Sequence, residues 1–220
     1  EAGYYWFKDH YFDHIDLTDD RIVRTPIYHT KLVTYLNKTV IQTPDTLIPA
    51  IDELIARMDP NSDVFKYTVH YTTYNFETSK IMGLDEVFVH MVDTYYKTGM
   101  ATWMDEEKLK NIIEKSDAKK KTLIGKTVPN LTLADTTGEN WISIKRDIET
   151  EYVVLFFYDP DCGHCKKETP ILVEFFNTYE GDDLAIYAVS SDNTQKWNKF
   201  INKNEMNFYN VSIPQKAFES

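Results

Sequence analysis

Cys162 and Cys165 are the only cysteines of a 220-residue chain, and both lie in one tetrapeptide, Cys162-Gly163-His164-Cys165. A structural disulfide framework needs more cysteines at wider spacings, and a structural zinc site needs a second ligand pair. What remains for a lone C-x-x-C is dithiol redox chemistry, because this spacing puts both sulfurs on the first turn of a helix, close enough to open and close a disulfide.

The flanking elements must supply that helix. Upstream, Tyr152 to Tyr158 is β-branched and aromatic throughout, which predicts a strand buried on both faces at the centre of a sheet. After Asp159-Pro160-Asp161 and the cysteines, Ile171, Leu172, Phe175 and Phe176 recur at helical spacing through Lys166 to Tyr179. Gly181-Asp182-Asp183 breaks the chain before Leu184 to Val189, a second buried-strand pattern at crossover distance. The whole is a βαβ unit with C-x-x-C at its helix N-terminus.

This arrangement resembles the thioredoxin superfamily, in particular its extracytoplasmic reductases of the type that serve cytochrome c maturation. Gly125 to Ile144, with a Thr137-Gly138-Glu139 turn, is similar to the β-hairpin those proteins place before the core. Pro170 matches the kinking proline of their active-site helix, Gly163 lies between the cysteines, and Glu168 matches an acidic residue beside the site. The likeness covers residues 122 to 201. It implies that Cys162 attacks and Cys165 resolves. A helix N-terminus would indeed lower the pKa of the first thiol and leave the second shielded one turn inside. Protonated His164 would stabilise the thiolate, and Glu168 would oppose it or relay a proton to Cys165.

Two departures from the pattern matter. Thioredoxins usually place Trp before the first cysteine, whereas this chain has Asp161, with Asp159 two before it. Two carboxylates there should raise the Cys162 pKa and repel acidic partners. Phe156 stands where many thioredoxins bury an Asp. Beyond the second strand, Asp192 to Asn202 supplies a helix with Trp197, Phe200 and Ile201 on its apolar face, and Ile213-Pro214 is the one X-Pro bond left for the family's cis-proline loop. Most X-Pro bonds are trans, and no hydrophobic strand follows. The expectation is therefore a thioredoxin-like domain incomplete at its C-terminal side, its native chain continuing past Ser220.

Residues 1 to 118 have a different rhythm. Ile48, Ile51, Leu54, Ile55 and Met58 trace one helical face behind Thr43-Pro44, and Leu109, Ile112 and Ile113 trace another after Asp105. Val64, Tyr67, Tyr71 and Tyr74, then Val87, Met91 and Tyr95, keep the period; with Pro26 to Val40 this predicts about five helices and no strand. Tyrosines at helical spacing are read as core. His10 and His14, at i and i+4 with Asp9 and Asp13 nearby, would share a helix face but lack further metal ligands. His29, His70 and His90 are read as structural. Around Tyr11 to Leu17 and Arg24-Thr25-Pro26 this half is similar to helical modules that precede thioredoxin domains in secreted or lipid-anchored proteins of Bacteroidetes-type bacteria.

The expected fold is thus an α+β two-domain chain: an all-α domain, 1 to 118, and an α/β thioredoxin-like domain of three layers, 119 to 220, joined by the lysine-rich Asp117 to Thr122. A composition of 42% hydrophobic and 27% charged residues is that of a folded protein. The net charge of −11 disfavours nucleic acid, and no apolar run approaches the length of a membrane span. The resemblance implies a thiol-disulfide oxidoreductase without cofactor or metal. It would act on disulfide-containing proteins with an upstream thiol donor, in the periplasm or cell envelope, with a lipid anchor outside this sequence as one mode of attachment. The rivals are a binding protein whose helical half does the work, a thiol peroxidase, disfavoured by Asp159 where Thr or Ser is usual, and metal carriage by Cys162, His164 and Cys165.

Overall fold

Helix starts along the first half are set by their caps. A computed structural model describes residues 2–192 and 194–213. In it α1 (Ala2–Asp9) is followed by turns and a 3-10 helix (Asp20–Arg24), whose cap Asp19 accepts from the Arg21 N–H. Proline at the first position opens α2 (Pro26–Thr34) and α3 (Pro44–Ile55), where its missing N–H has no intrahelical partner to lose. Ser62 caps α4 (Asp63–Glu77) by accepting from Phe65 N–H, and Asp105 caps α6 (Glu106–Lys120) by accepting from Lys108 N–H. Between them, α5 (Asp85–Met91) runs into a π-helical turn, Val92–Tyr96, as α2 does over Tyr35–Thr39.

These helices close on one core that includes Leu32, Leu36, Leu47, Ile51, Val64, Phe65, Phe88 and Val92, each 0–1% exposed. Two expectations are corrected here. His10 and His14 share no helix face, because α1 stops at Asp9 and both fall in the turns after it. The inner face of α4 is carried by Phe65, Thr68, Val69, Thr72 and Phe76, leaving Tyr67 and Tyr71 half-buried and Tyr74 57% exposed. Buried threonines fit because Thr68 and Thr73 donate their hydroxyls to the carbonyls of Val64 and Val69. Leu123, just past α6, returns to this core at 7% exposure, and the first compact unit runs to Val128, the second beginning at Pro129.

The second unit is built on a five-stranded sheet. Its strands are β1 (Thr132–Asp135), β2 (Trp141–Ser143), β3 (Tyr152–Tyr158), β4 (Leu184–Ser190) and β5 (Tyr209–Ser212), in the order β2-β1-β5-β4-β3. β3, β4 and β5 are parallel, and β1 is antiparallel to both neighbours. A single helical turn, α7 (Ile144–Asp147), follows β2, while α8 (Gly163–Thr178) crosses from β3 to β4 and α9 (Gln195–Asn204) from β4 to β5. Val173 of α8 and Trp197 and Phe200 of α9 pack with Val154, Phe156, Tyr158, Ile186 and Ala188 on one face. On the other, Val153, Leu155, Tyr187 and Val189 meet Leu131, Leu133, Ile142 and Ile148.

The expected central position of Tyr152–Tyr158 is also corrected. Val153 to Phe156 pack on both faces but are only half-buried, Tyr158 alone of β3 is buried, Tyr152 and Phe157 are 55% and 58% exposed, and β4 is the strand's one lateral partner among the described residues. Apolar composition reports face burial, not the number of neighbours in the hydrogen-bonding direction. Pro214 lies outside the described residues, within which no peptide bond is cis.

Candidate functional site

The chain leaves β3 through a loop held at several points. The Asp159 carboxylate accepts from the backbone N–H of Asp161 (2.7 Å) and from the Ser191 hydroxyl (3.0 Å) just past β4. Ser191 N–H in turn donates to Tyr158 C=O, and Cys162 N–H donates to Asp159 C=O at 3.1 Å. Below the loop, the buried Trp197 indole N–H donates to the Tyr158 hydroxyl (2.7 Å), and burial pushes the Tyr158 pKa up to about 12.

This loop delivers Cys162 as the residue that opens α8, its own C=O accepting from Lys166 N–H at 3.1 Å. The Cys162 thiol is pushed below its ordinary pKa. The backbone N–H of Cys165 contributes most, followed by the Cys165 thiol and the His164 N–H, against the opposing Asp159 charge. Cys165 is pushed up, first by burial and further by its proton-sharing with Cys162, while the Asp159 N–H pulls the other way. One thiol is thus prepared to attack while its neighbour keeps its proton. Both are half-buried and unbridged, and with Phe157, Val189, Ser191 and Ile213 they line a cleft of about 410 Å³.

The remaining sequence-predicted residues are distributed around this pair. Gly163 and His164 are exposed on the first turn of α8, and His164 reaches Cys162 through its backbone N–H. Glu168 is exposed and forms no hydrogen bond or ion pair among the described residues. Pro170 lies inside α8, leaving Lys166 C=O without an i+4 donor. The expected effect of two carboxylates is corrected: Asp161 pairs with Lys196 Nζ at 2.8 Å, and the Cys162 thiolate is opposed by desolvation first and by the Asp159 charge second, both outweighed by the N–H groups and the Cys165 thiol.

From the sequence, Asp159 could be read as a charge beside Cys162 and as a mismatch to the peroxidase pattern, yet it is the residue that ties the loop together. Its signal was the Asp-Pro-Asp run, whose first carboxylate can accept the N–H two residues on. Ser191 and Trp197 carried no comparable signal, because their roles arise from packing between elements distant in sequence. Among the described residues no group of three or more His, Cys, Asp or Glu side chains is arranged to hold a metal ion, and no helix is long and apolar enough to cross a membrane.

Comparison with known proteins divides the chain in the same sense. Residues 1–119 match the model of a domain of unknown function, DUF5106, and residues 124–218 match that of the AhpC/TSA family. The thiol-disulfide oxidoreductase ResA of Bacillus thuringiensis is 32% identical over 96 residues, which is 44% of this chain and 52% of that protein. ResA of Bacillus anthracis gives the same 32% over 96 residues, with 44% and 52% covered. The chain therefore spans about half the length of the curated relatives it matches. A crystal structure of a thioredoxin-like protein from Bacteroides caccae aligns with a TM-score of 0.68 at 19% identity, covering 100% of this chain and 79% of that one, a likeness of fold.

Proposed function

For a chain that belongs to the DUF5106 family and whose residues 124–218 match the model of the AhpC/TSA family, we propose thiol-disulfide exchange at Cys162 and Cys165 as the activity. The working division is a helical domain, 1–118, of separate role, and a redox domain, 119–220. The observation that carries the reading is the opposed tuning of two thiols one turn apart, the first lowered by helix N–H groups and the second raised by burial.

In the reducing direction the Cys162 thiolate attacks one sulfur of a partner disulfide, forming a mixed disulfide and releasing the other partner sulfur as thiolate. Cys165 then gives up its proton and attacks the Cys162 sulfur, which breaks the mixed disulfide. The partner leaves with two reduced thiols, its released thiolates take up protons, and Cys162 and Cys165 are oxidised to a disulfide. An upstream dithiol donor restores the pair by the reverse exchange. His164, when protonated, adds positive charge beside the thiolate. Glu168, three residues past Cys165 on α8, is at helical-neighbour distance, about 5–6 Å between Cβ atoms, and relays the Cys165 proton to solvent.

The proposed substrates are disulfide-bearing proteins of the periplasm or cell envelope, the compartment of the reductases that the sequence resembles. The test is trapping. Cys165→Ser should accumulate a covalent mixed disulfide with a disulfide substrate, and Cys162→Ser should accumulate none. Equal trapping by both variants would overturn the reading.

A further inference from the structure

Beside the cysteines, Pro160, Asp161 and Lys166 form one wall of a groove of about 300 Å³ whose other wall is α9, presenting Lys196, Lys199 and Lys203 over a floor of Phe200. Positions 196, 199 and 203 fall on one helical face by their i, i+3, i+7 spacing. Four lysines therefore face one lining carboxylate, Asp161, in a chain whose net charge is −11. Lys196 is held by Asp161, with Asp159 and Asp192 adding to its field, and Lys166 Nζ donates to Asp161 C=O at 3.2 Å. Lys199 and Lys203 form no ion pair among the described residues.

From this groove we infer that the protein selects disulfides flanked by acidic residues, the lysines of α9 receiving a carboxylate-bearing segment of the partner while Cys162 attacks its disulfide. The inference rests on the exchange activity proposed above and adds a substrate class to it. It reverses the simple expectation from Asp159 and Asp161, since one of those carboxylates is neutralised and the cations around it outnumber it. On a chain of net charge −11, such a local cationic patch also favours where an acidic partner lands.

The test uses the full chain, pre-reduced, with three synthetic cystine peptides whose flanks are Asp/Glu, Ser/Gly or Lys. Reduction of the acidic peptide should be on the order of 10-fold faster than that of the neutral one at low ionic strength, and the advantage should collapse at 0.5 M salt, where the Debye length is only about 4 Å. Lys199→Gln with Lys203→Gln should remove most of the preference, and Lys199→Glu with Lys203→Glu should invert it, both leaving the neutral peptide's rate unchanged. A cysteine-free acidic peptide should compete with the acidic substrate in the parent chain and not in the charge-reversed one. Equal rates for acidic and neutral peptides, or a preference that survives charge reversal, would overturn the inference and leave the exchange activity standing. Failure to reduce any peptide, the neutral one included, would overturn both.

Discussion

The backbone N–H of Asp159 points at the sulfur of Cys165 from 3.5 Å, while the carboxylate of the same residue faces away to bind Asp161 N–H and the Ser191 hydroxyl. One residue therefore acts on the resolving thiol in two opposed ways: its N–H favours the thiolate and its charge disfavours it. The geometry separates the two effects, because Asn can lose the charge while its Oδ1 still accepts from Asp161 N–H and its Nδ2 donates to the Ser191 hydroxyl, reversing that bond.

Asp159→Asn should accordingly lower the pKa of both thiols. A stabilised thiolate stabilises the reduced state, so the reduction potential should rise, by roughly 10 to 30 mV on the scale where 30 mV is a tenfold change in equilibrium constant. Redox titration of parent and variant checks this; an unchanged or lowered potential would show that the charge does not reach the sulfurs.

Alkylation of the reduced chain, read separately at each cysteine by mass spectrometry, should follow the opposed tuning. Cys162 should react with a pH midpoint below that of a free thiol, about 8.5, and Cys165 above it. Reaction at Cys162 should therefore fall off only as pH drops through its lowered value, leaving a window around neutrality in which it alone is labelled.

Tyr158→Phe removes the acceptor of the buried Trp197 N–H while leaving the ring stacked on Phe156. An unsatisfied buried donor costs about 1–3 kcal/mol, so the variant should lose that much in denaturant-induced unfolding. Because Tyr158 directly precedes the Asp159 loop, Cys162 alkylation should also become less selective.

In the helical half, the Asp52 carboxylate accepts from His90 Nε2 (2.9 Å) and from the Tyr95 hydroxyl (2.8 Å). Burial pushes its pKa up, but these two donors outweigh that and hold it below the ordinary value. A carboxylate lowered in the folded state contributes stability above its unfolded pKa of about 3.9 and loses it as pH falls through the folded value. Asp52→Asn should therefore lower stability at neutral pH and flatten its decline below about pH 4. An acid limb as steep as the parent's would contradict the assignment.

What the sequence disclosed, and what it hid, follows from the range of the forces involved. The Tyr152–Tyr158 run, the helix after Cys162 and the proline-opened helices are local signals, and each formed where its pattern pointed. β5 escaped notice because Tyr209-Asn210-Val211-Ser212 is short and half polar; it is a strand through pairing with β4 and β1, with Asn210 Nδ2 donating to the carbonyls of Met206 and Phe208. On α4 the tyrosine spacing outweighed that of the threonines, of which Thr68 and Thr73 satisfy their hydroxyls within the helix and so go inside. At the site, the cysteines could be read directly, but the neutralisation of Asp161 could not, since Lys196 comes from a helix 35 residues away.

The central claim is that Cys162 and Cys165 form a working dithiol-disulfide couple, and its most direct measurement is equilibration of the chain in defined dithiothreitol or glutathione buffers with thiol trapping. The account predicts one reversible two-electron transition in which both cysteines change together, abolished by Cys162→Ser and by Cys165→Ser. A potential near about −270 mV would mark a reductant, and one near about −120 mV an oxidant. If no reversible transition occurs, or if the two cysteines oxidise independently, thiol-disulfide exchange at this site is excluded.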